Sequence, residues 1–241
     1  AAWIVPRLVA EERAHDARPL DPVGIALLTL ALGIAIETLL AGRTVSHIAL
    51  GTAASLVFTG LFVVQQRTRP RPVVDLALLA QPAMIAVALL LITVSVAYWA
   101  VLVYLPLFLT TAFGLSTGQS GVMMLAATLP MIFLPPLAGR LATQWGWRAL
   151  FATGLALIAA GDLVLALDPA GTVAFATVLL GMVVIATGAA LVQSQLSGAV
   201  VTLAPPAQAG MASALTIVMR QGGFAIGIAA LGAALGGNVA A

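Results

Sequence analysis

The sequence predicts an all-α membrane protein with seven transmembrane helices. Three observations carry that expectation. Of 241 residues 62% are hydrophobic and only 7% charged, against roughly 25% charged in a soluble globular domain. Apolar runs of about 20 residues, the length a helix needs to cross roughly 30 Å of hydrocarbon, follow one another almost without gaps. The ten basic residues, all arginines, gather in alternate connections between those runs.

The first run covers residues 22–41 and ends at Gly42-Arg43. The second, 46–64, runs into Thr68-Arg69-Pro70-Arg71-Pro72, and the third, 83–110, stops before the glycine-bounded turn at 114–118. The fourth and fifth, 118–138 and 149–167, are separated by a basic loop. Asp168-Pro169-Ala170-Gly171 parts the fifth from the sixth, 172–200, and Pro205-Pro206 precedes the seventh, 208–235. Each break holds residues that end helices. No separate soluble domain fits between them.

Orientation follows from charge, because arginine and lysine accumulate in short cytoplasmic loops. With the N-terminus inside, Arg7, Arg13, Arg18, Arg67, Arg69, Arg71, Arg140 and Arg148 are cytoplasmic, which is eight of the ten arginines; Arg43 alone is outside and Arg220 lies in a span. The reverse orientation would invert that ratio. Residues 1–21 are therefore expected in the cytoplasm. The chain starts with Ala1 and a short apolar piece, and it stops after a glycine-rich helix, so a longer parent protein is expected.

Composition removes several functions. Without cysteine there are no disulfides, thiolate metal sites or cysteine nucleophiles. His15 and His47, read as loop residues, are too far apart in sequence for an expected metal or acid–base centre. No metal, cofactor or enzymatic activity is expected. Scattered arginines without stacking aromatics argue against a nucleic-acid partner, and no phosphate-binding glycine loop is present.

What remains polar inside the spans is short enough to name. Arg220 is a functional candidate because an intramembrane cation needs a partner or water; an arginine snorkelling to the inner headgroups is the alternative. Glu37 and Asp162 are the acids within spans and the candidates for proton coupling, although both lie within ~10 Å of the outer boundary, where hydration tolerates a charge. Asp162 and Arg220 differ in depth by about a dozen ångströms, which argues against a direct pair. Gln193, Gln195 and Ser197 in the sixth run are costly in hydrocarbon unless they line a cavity or bond to other helices. Tyr98 and Trp99, with Tyr104 and Phe108, offer an aromatic wall or ordinary packing. Gly223 with Gly227, and Gly232 with Gly236, are GxxxG pairs for close helix approach. Pro106, Pro130, Pro135 and Pro136 are expected to bend the third and fourth helices.

Several strings resemble one family in their order and spacing. LDPVG at residues 20–24, RPVVDLALL at 71–79 and YLPLFLTTAFGLSTGQSGVMMLAATLP at 104–130 are similar to segments of a fourteen-helix major facilitator superfamily transporter of the drug:proton antiporter subgroup. PLAGRLATQWGWR at 136–148 and PPAQAGMASALTIVMRQGGFAIGIA at 205–229 are the most specific resemblances. The resemblance implies helices seven to thirteen. Residues 1–21 would be a cytoplasmic connector, 22–64 two central accessory helices, 65–82 a cytoplasmic amphipathic loop, and 83–241 an incomplete C-terminal bundle of five helices. It also implies a gating loop in which Gly139, Arg140, Gly146 and Arg148 match the family pattern, while Thr143 stands where an acid is usual. Threonine supplies only a neutral hydrogen bond there, which weakens any charge-based latch.

The implied activity is proton-coupled export of small lipophilic or amphipathic compounds across a bacterial cytoplasmic membrane. Its partners would be the substrate, protons, the lipid bilayer and an N-terminal half of the same protein. A facilitator importing a metabolite and a non-transporting membrane scaffold are the competing readings.

Overall fold

Backbone polar groups that cannot reach water must pair within the chain, and among the described residues the protein meets this demand with helices alone. The computed structural model describes residues 21–41, 44–69, 80–166, 175–205 and 208–239. Residues 1–20 of the expected 1–21 connector, the RPVVDLALL string and Arg43 lie outside them.

Seven helices follow in order: α1 (Pro22–Ala41), α2 (Val45–Thr68), α3 (Pro82–Phe113), α4 (Thr117–Phe133), α5 (Pro135–Ala166), α6 (Phe175–Leu203) and α7 (Ala209–Val239). Six are long and apolar enough to cross a membrane. The exception, α4, has 17 residues, but its hydrogen bonding runs on: Leu134 N–H donates to Pro130 at 2.9 Å, and Ala138 N–H donates to Leu134 at 2.9 Å. The fourth crossing is thus α4 plus the start of α5, as the expected span 118–138 requires.

The ends are capped by local chemistry. Asp21 accepts from Gly24 N–H at 3.0 Å and Pro22 occupies the first helical position, where a missing N–H costs nothing. Ser116 and Gln119 form a reciprocal capping box on α4. Thr44 caps α2 through His47 N–H at 3.2 Å, so His47 sits in a helical turn and not in the expected loop.

Three further expectations change. Apart from Gly146, residues 139–148 are helical and not a loop: Ala138 and Ala142 are buried with Leu150 against Leu191 of α6, and that packing carries the helix beyond the expected boundary. The chain reverses only at Gly146, whose φ of 78° and ψ of 158° belong to glycine territory. The second helix continues to Thr68, so residues 65–68 are not part of a loop; Gln65 and Gln66 bond back to Asp21. Inside α3, residues Ser95–Ala100 form a π-helical turn that nothing in the hydrophobic pattern announced.

The core sits where α3, α5, α6 and α7 meet, around Leu91, Val94, Ile158, Val192, Leu196 and Ala212. A second cluster joins Leu105 and Leu109 of α3 to Ala127 of α4 and Met182 of α6. The tightest seam is α5 on α6. There Gly154 and Gly161 face Gly188 and Gly181, so close that a methyl group on Gly161 would come within 2.8 Å of the Gly181 carbonyl. As expected, Gly223 and Gly227 lay α7 against α3, facing Ile92, Ser95, Val96 and Ala100. The α1–α2 hairpin packs mostly on itself, through Ser55 Oγ donating to Ala31 at 2.9 Å and Gly51 against Thr38, and α1 also touches α7. Outward faces are apolar, with Val45, Leu50 and Phe133 each more than 70% exposed, as lipid contact demands.

The arginine asymmetry predicts which loops face the cytoplasm. A single cysteine at the exposed Thr44 should react with an impermeant thiol reagent in intact cells, and one at the exposed Thr143 only after the membrane is opened. The opposite pattern would invert the topology.

Candidate functional site

Arg220 lies on α7 one turn before Gly223, at the edge of the stripe that packs on α3, and is half-buried. Among the described residues no carboxylate lies within 4.0 Å of it and no hydrogen bond is made to it. Asp162 does not reach it, because α5 packs on α6 rather than on α7. Asp162 is half-buried without a partner among the described residues. Glu37 is 3.3 Å from His47 Nε2, and both side chains are largely exposed, the carboxylate at 54%. That is a surface pair joining α1 to α2 at their shared end, in keeping with the hydrated position expected of Glu37.

The polar string of α6 is divided between two faces. Gln193 points into the bundle and its Oε1 is buried without a partner. Ser197, one turn on, is exposed. Gln195 turns toward α5, where Gly139 is its neighbour, and its Nε2 donates to Ser194 at 3.4 Å. A helix places residues two apart on different faces, so a single lining made of all three residues does not form.

The aromatic residues are held by α3's π turn. Tyr98 is 2% exposed and its hydroxyl donates to the Ala127 carbonyl at 2.8 Å. Trp99 meets it edge to face at 5.2 Å between ring centroids, and its Nε1 is buried without an acceptor. Tyr104 donates to Ile228 of α7 at 3.0 Å. A small apolar gap of about 10 Å³ beside Tyr98, Leu105, Ala127 and Met182 has room for about one water.

Around Gly146, Arg140, Thr143 and Arg148 are exposed, as are Trp145 and Trp147. Thr143 Oγ1 donates to the Arg140 carbonyl at 2.7 Å, so the hydroxyl at the family's acidic position closes on its own helix. Gly139 is half-buried near Gln195.

One cluster escaped the sequence reading. The Asp21 side chain, 1% exposed, accepts from Gln65 Nε2 at 2.8 and 3.0 Å and from Gln66 Nε2 at 3.0 Å, and it lies 3.5 Å from Arg69. The Gln65 amide, the Gly24 N–H and then Gln66 and the Arg69 charge hold its carboxyl below the usual carboxylate range. Gly24 leaves the space: a side chain there would run into the Asp21 carboxylate and Gln66. An aspartate before proline at a helix start, and paired glutamines at a helix end, were the legible signals.

Six helices long and apolar enough to cross a membrane, joined by glycine-packed seams, define a multi-pass helical membrane protein. The family model described as Major Facilitator Superfamily matches residues 22–228, and the chain belongs to that family. It is 28% identical over 231 residues to the Multidrug resistance protein Stp of Mycobacterium tuberculosis, covering 94% of this chain and 43% of that protein. It is 27% identical over 237 residues to the Multidrug efflux pump LfrA of Mycolicibacterium smegmatis (94% and 45%), and 32% identical over 240 residues to a Triacylglyceride transporter of Mycolicibacterium hassiacum (92% and 44%). The chain spans a little under half the length of these relatives. Its membrane-spanning helices and bacterial relatives make it a multi-pass protein of the cytoplasmic membrane.

Proposed function

We propose that the chain forms the second part of a fourteen-helix, proton-coupled exporter of small lipophilic or amphipathic compounds. The observation that carries this is the family match over residues 22–228, from α1 into α7, together with relatives that bear the names of multidrug resistance and efflux proteins. On this reading α1 and α2 are the central accessory pair, α3 to α7 belong to the C-terminal bundle, and a preceding N-terminal half completes the two-bundle transporter. No substrate bond is made or broken.

Within that reading, Arg220, Gln193, Ser197, Tyr98 and Trp99 are the residues nearest a substrate, and Gln195 supports the α5–α6 side. Asp162, unpaired and half-buried, is a better proton carrier than Glu37, which is already engaged by His47. Arg140, Arg148 and the glycine break at Gly146 form the gating turn, with Thr143, its hydroxyl turned back onto the Arg140 carbonyl, standing in place of the usual acid. An importer would accumulate substrate, and a scaffold would move none.

The test is efflux of fluorescent amphiphiles of differing charge from cells making the full-length protein. Efflux should stop when a protonophore collapses the gradient. At matched membrane abundance, Arg220→Ala and Arg220→Lys should each slow efflux about tenfold or more if the planar guanidinium meets a ligand or partner. Near wild-type efflux in the lysine variant would make Arg220 a headgroup anchor, and gradient-independent movement would remove the antiport reading.

A further inference from the structure

The turn at Gly146 carries two cations that nothing in the described chain neutralises. Arg140 stands on α5 before the glycine and Arg148 after it, and both are exposed. Among the described residues no carboxylate lies within 4.0 Å of either guanidinium, and neither guanidinium makes a hydrogen bond. The sequence holds no aspartate or glutamate between Asp75 and Asp162, and Asp162 is ~21 Å along α5 from Arg148. Thr143 gives its hydroxyl to the Arg140 carbonyl and presents no anion.

The same turn has the markings of a membrane surface. Trp145 and Trp147 flank Gly146, with more than half of Trp145 and over a third of Trp147 exposed. The Trp147 ring is seated on Phe151 at 6.3 Å between centroids, and neither indole N–H has an acceptor among the described residues. Rings with an apolar body and one polar edge settle at headgroup level. Away from the turn both outward faces become apolar within one helical turn: Leu137 is exposed three residues before Arg140, and Ala152 four residues after Arg148. Arg140 lies ~9 Å and Arg148 ~3 Å along the helix from Gly146, against roughly 5–7 Å of headgroup region per leaflet. On their long stems both guanidiniums reach the phosphate layer. An acidic protein would meet these cations from water and leave two exposed indoles unused; a lipid meets all four side chains.

We propose that this turn binds the headgroup of an anionic phospholipid, whose phosphate oxygens accept from Arg140 and Arg148 while Trp145 and Trp147 pack at the level of the glycerol backbone. The planar fork of a guanidinium matches the geometry of a phosphate. A headgroup with net negative charge adds an attraction that a zwitterionic one lacks, about fivefold in binding per arginine. The lipid thus supplies the negative charge that Thr143 does not. Nothing in this site requires the chain to export.

Brominated lipids quench only the tryptophans they touch. The protein is reconstituted in dioleoylphosphatidylcholine vesicles with a rising fraction of brominated phosphatidylglycerol, phosphatidylethanolamine or phosphatidylcholine. The signal of the turn is the fluorescence lost in a Trp145→Phe, Trp147→Phe variant. Phosphatidylglycerol should quench that signal at fractions about fivefold or more below those of phosphatidylcholine, and phosphatidylethanolamine should behave as phosphatidylcholine does. The preference should shrink toward equality when the same difference is taken in an Arg140→Gln, Arg148→Gln background, and also as salt is raised. Elution profile and helicity identify any variant that fails to fold, and the salt dependence with the arginines in place needs no charge variant. Equal quenching by phosphatidylglycerol and phosphatidylcholine would overturn the proposal. So would a preference that survives in the folded double-glutamine variant, because it would then belong to other arginines. Loss of the preference on adding millimolar inorganic phosphate at constant ionic strength would overturn the lipid in favour of a soluble phosphate.

Discussion

Gly188→Leu and Gly154→Leu are expected to abolish accumulation of folded protein. The α5–α6 seam is built on backbone contact: a Cβ on Gly154 would stand 2.9 Å from the Gly188 carbonyl oxygen, and one on Gly188 would meet the Gly154 carbonyl and lie 2.9 Å from the Ile158 nitrogen. Backbone cannot rotate aside as a flexible side chain can, so the helices must part. Parting them opens the core around Ile158, Ile185 and Val192, the best-buried region of the bundle. Even alanine at these glycines should cost about 1–3 kcal/mol, a large share of a stability of roughly 5–15 kcal/mol. Gly33, Gly60 and Gly121 face open space and are the controls; alanine there should stay within about 1 kcal/mol of wild type. Thermal unfolding in detergent, followed by fluorescence-detected size exclusion, separates the two sets. A folded Gly188→Leu protein of unchanged melting temperature would show that the seam does not hold the bundle.

The second large effect belongs to Asp21. Asp21→Ala removes the α1 cap and leaves Gln65, Gln66 and Arg69 without the carboxylate that gathers them. It should loosen the α1–α2 hairpin more than Asp21→Asn does, since asparagine keeps a capping oxygen but not the charge. The carboxyl's folded pKa is lowered, so its contribution is fully present above its unfolded value, about 3.9, and is lost as the pH falls through the lower folded value. Stability should therefore be insensitive to this group from neutral pH down to about pH 5. Below that the wild type should lose stability along an acid limb that Asp21→Asn lacks. Identical acid unfolding profiles would mean that Asp21 is not charged in the folded hairpin.

The helices were legible because the bilayer imposes one rule, length of apolar chain, and Gly, Pro and Arg mark its interruptions. The GxxxG pair at Gly223 and Gly227 was legible for the same local reason. Gly154, Gly161, Gly181 and Gly188 were not, because each helix spaces its pair by seven and the meaning lies in the match between two successive helices, not within either one. The expected loop at 139–148 failed through packing: Ala138 and Ala142 gain more from Leu191 than the positive-inside pattern can show. Gln193, Gln195 and Ser197 shared a string but not a face. The Asp21 cluster joins residues more than forty positions apart, and charge counting treats its members as loop polarity.

The π turn at Ser95–Ala100 has an arithmetical consequence. It holds one residue more than an α turn, and an extra residue rotates everything after it by about 100° relative to an uninterrupted helix. The N-terminal half of α3 thereby addresses α6 and α7 through Leu91 and Val94, while Leu105 and Leu109 in the C-terminal half address α4 and α6. The direction of the C-terminal half is thus encoded in how many residues lie before it, not in which ones. Substitution within the turn leaves that count untouched; loss of a single residue would swing Leu105, Leu109 and Tyr104 away from their neighbours together.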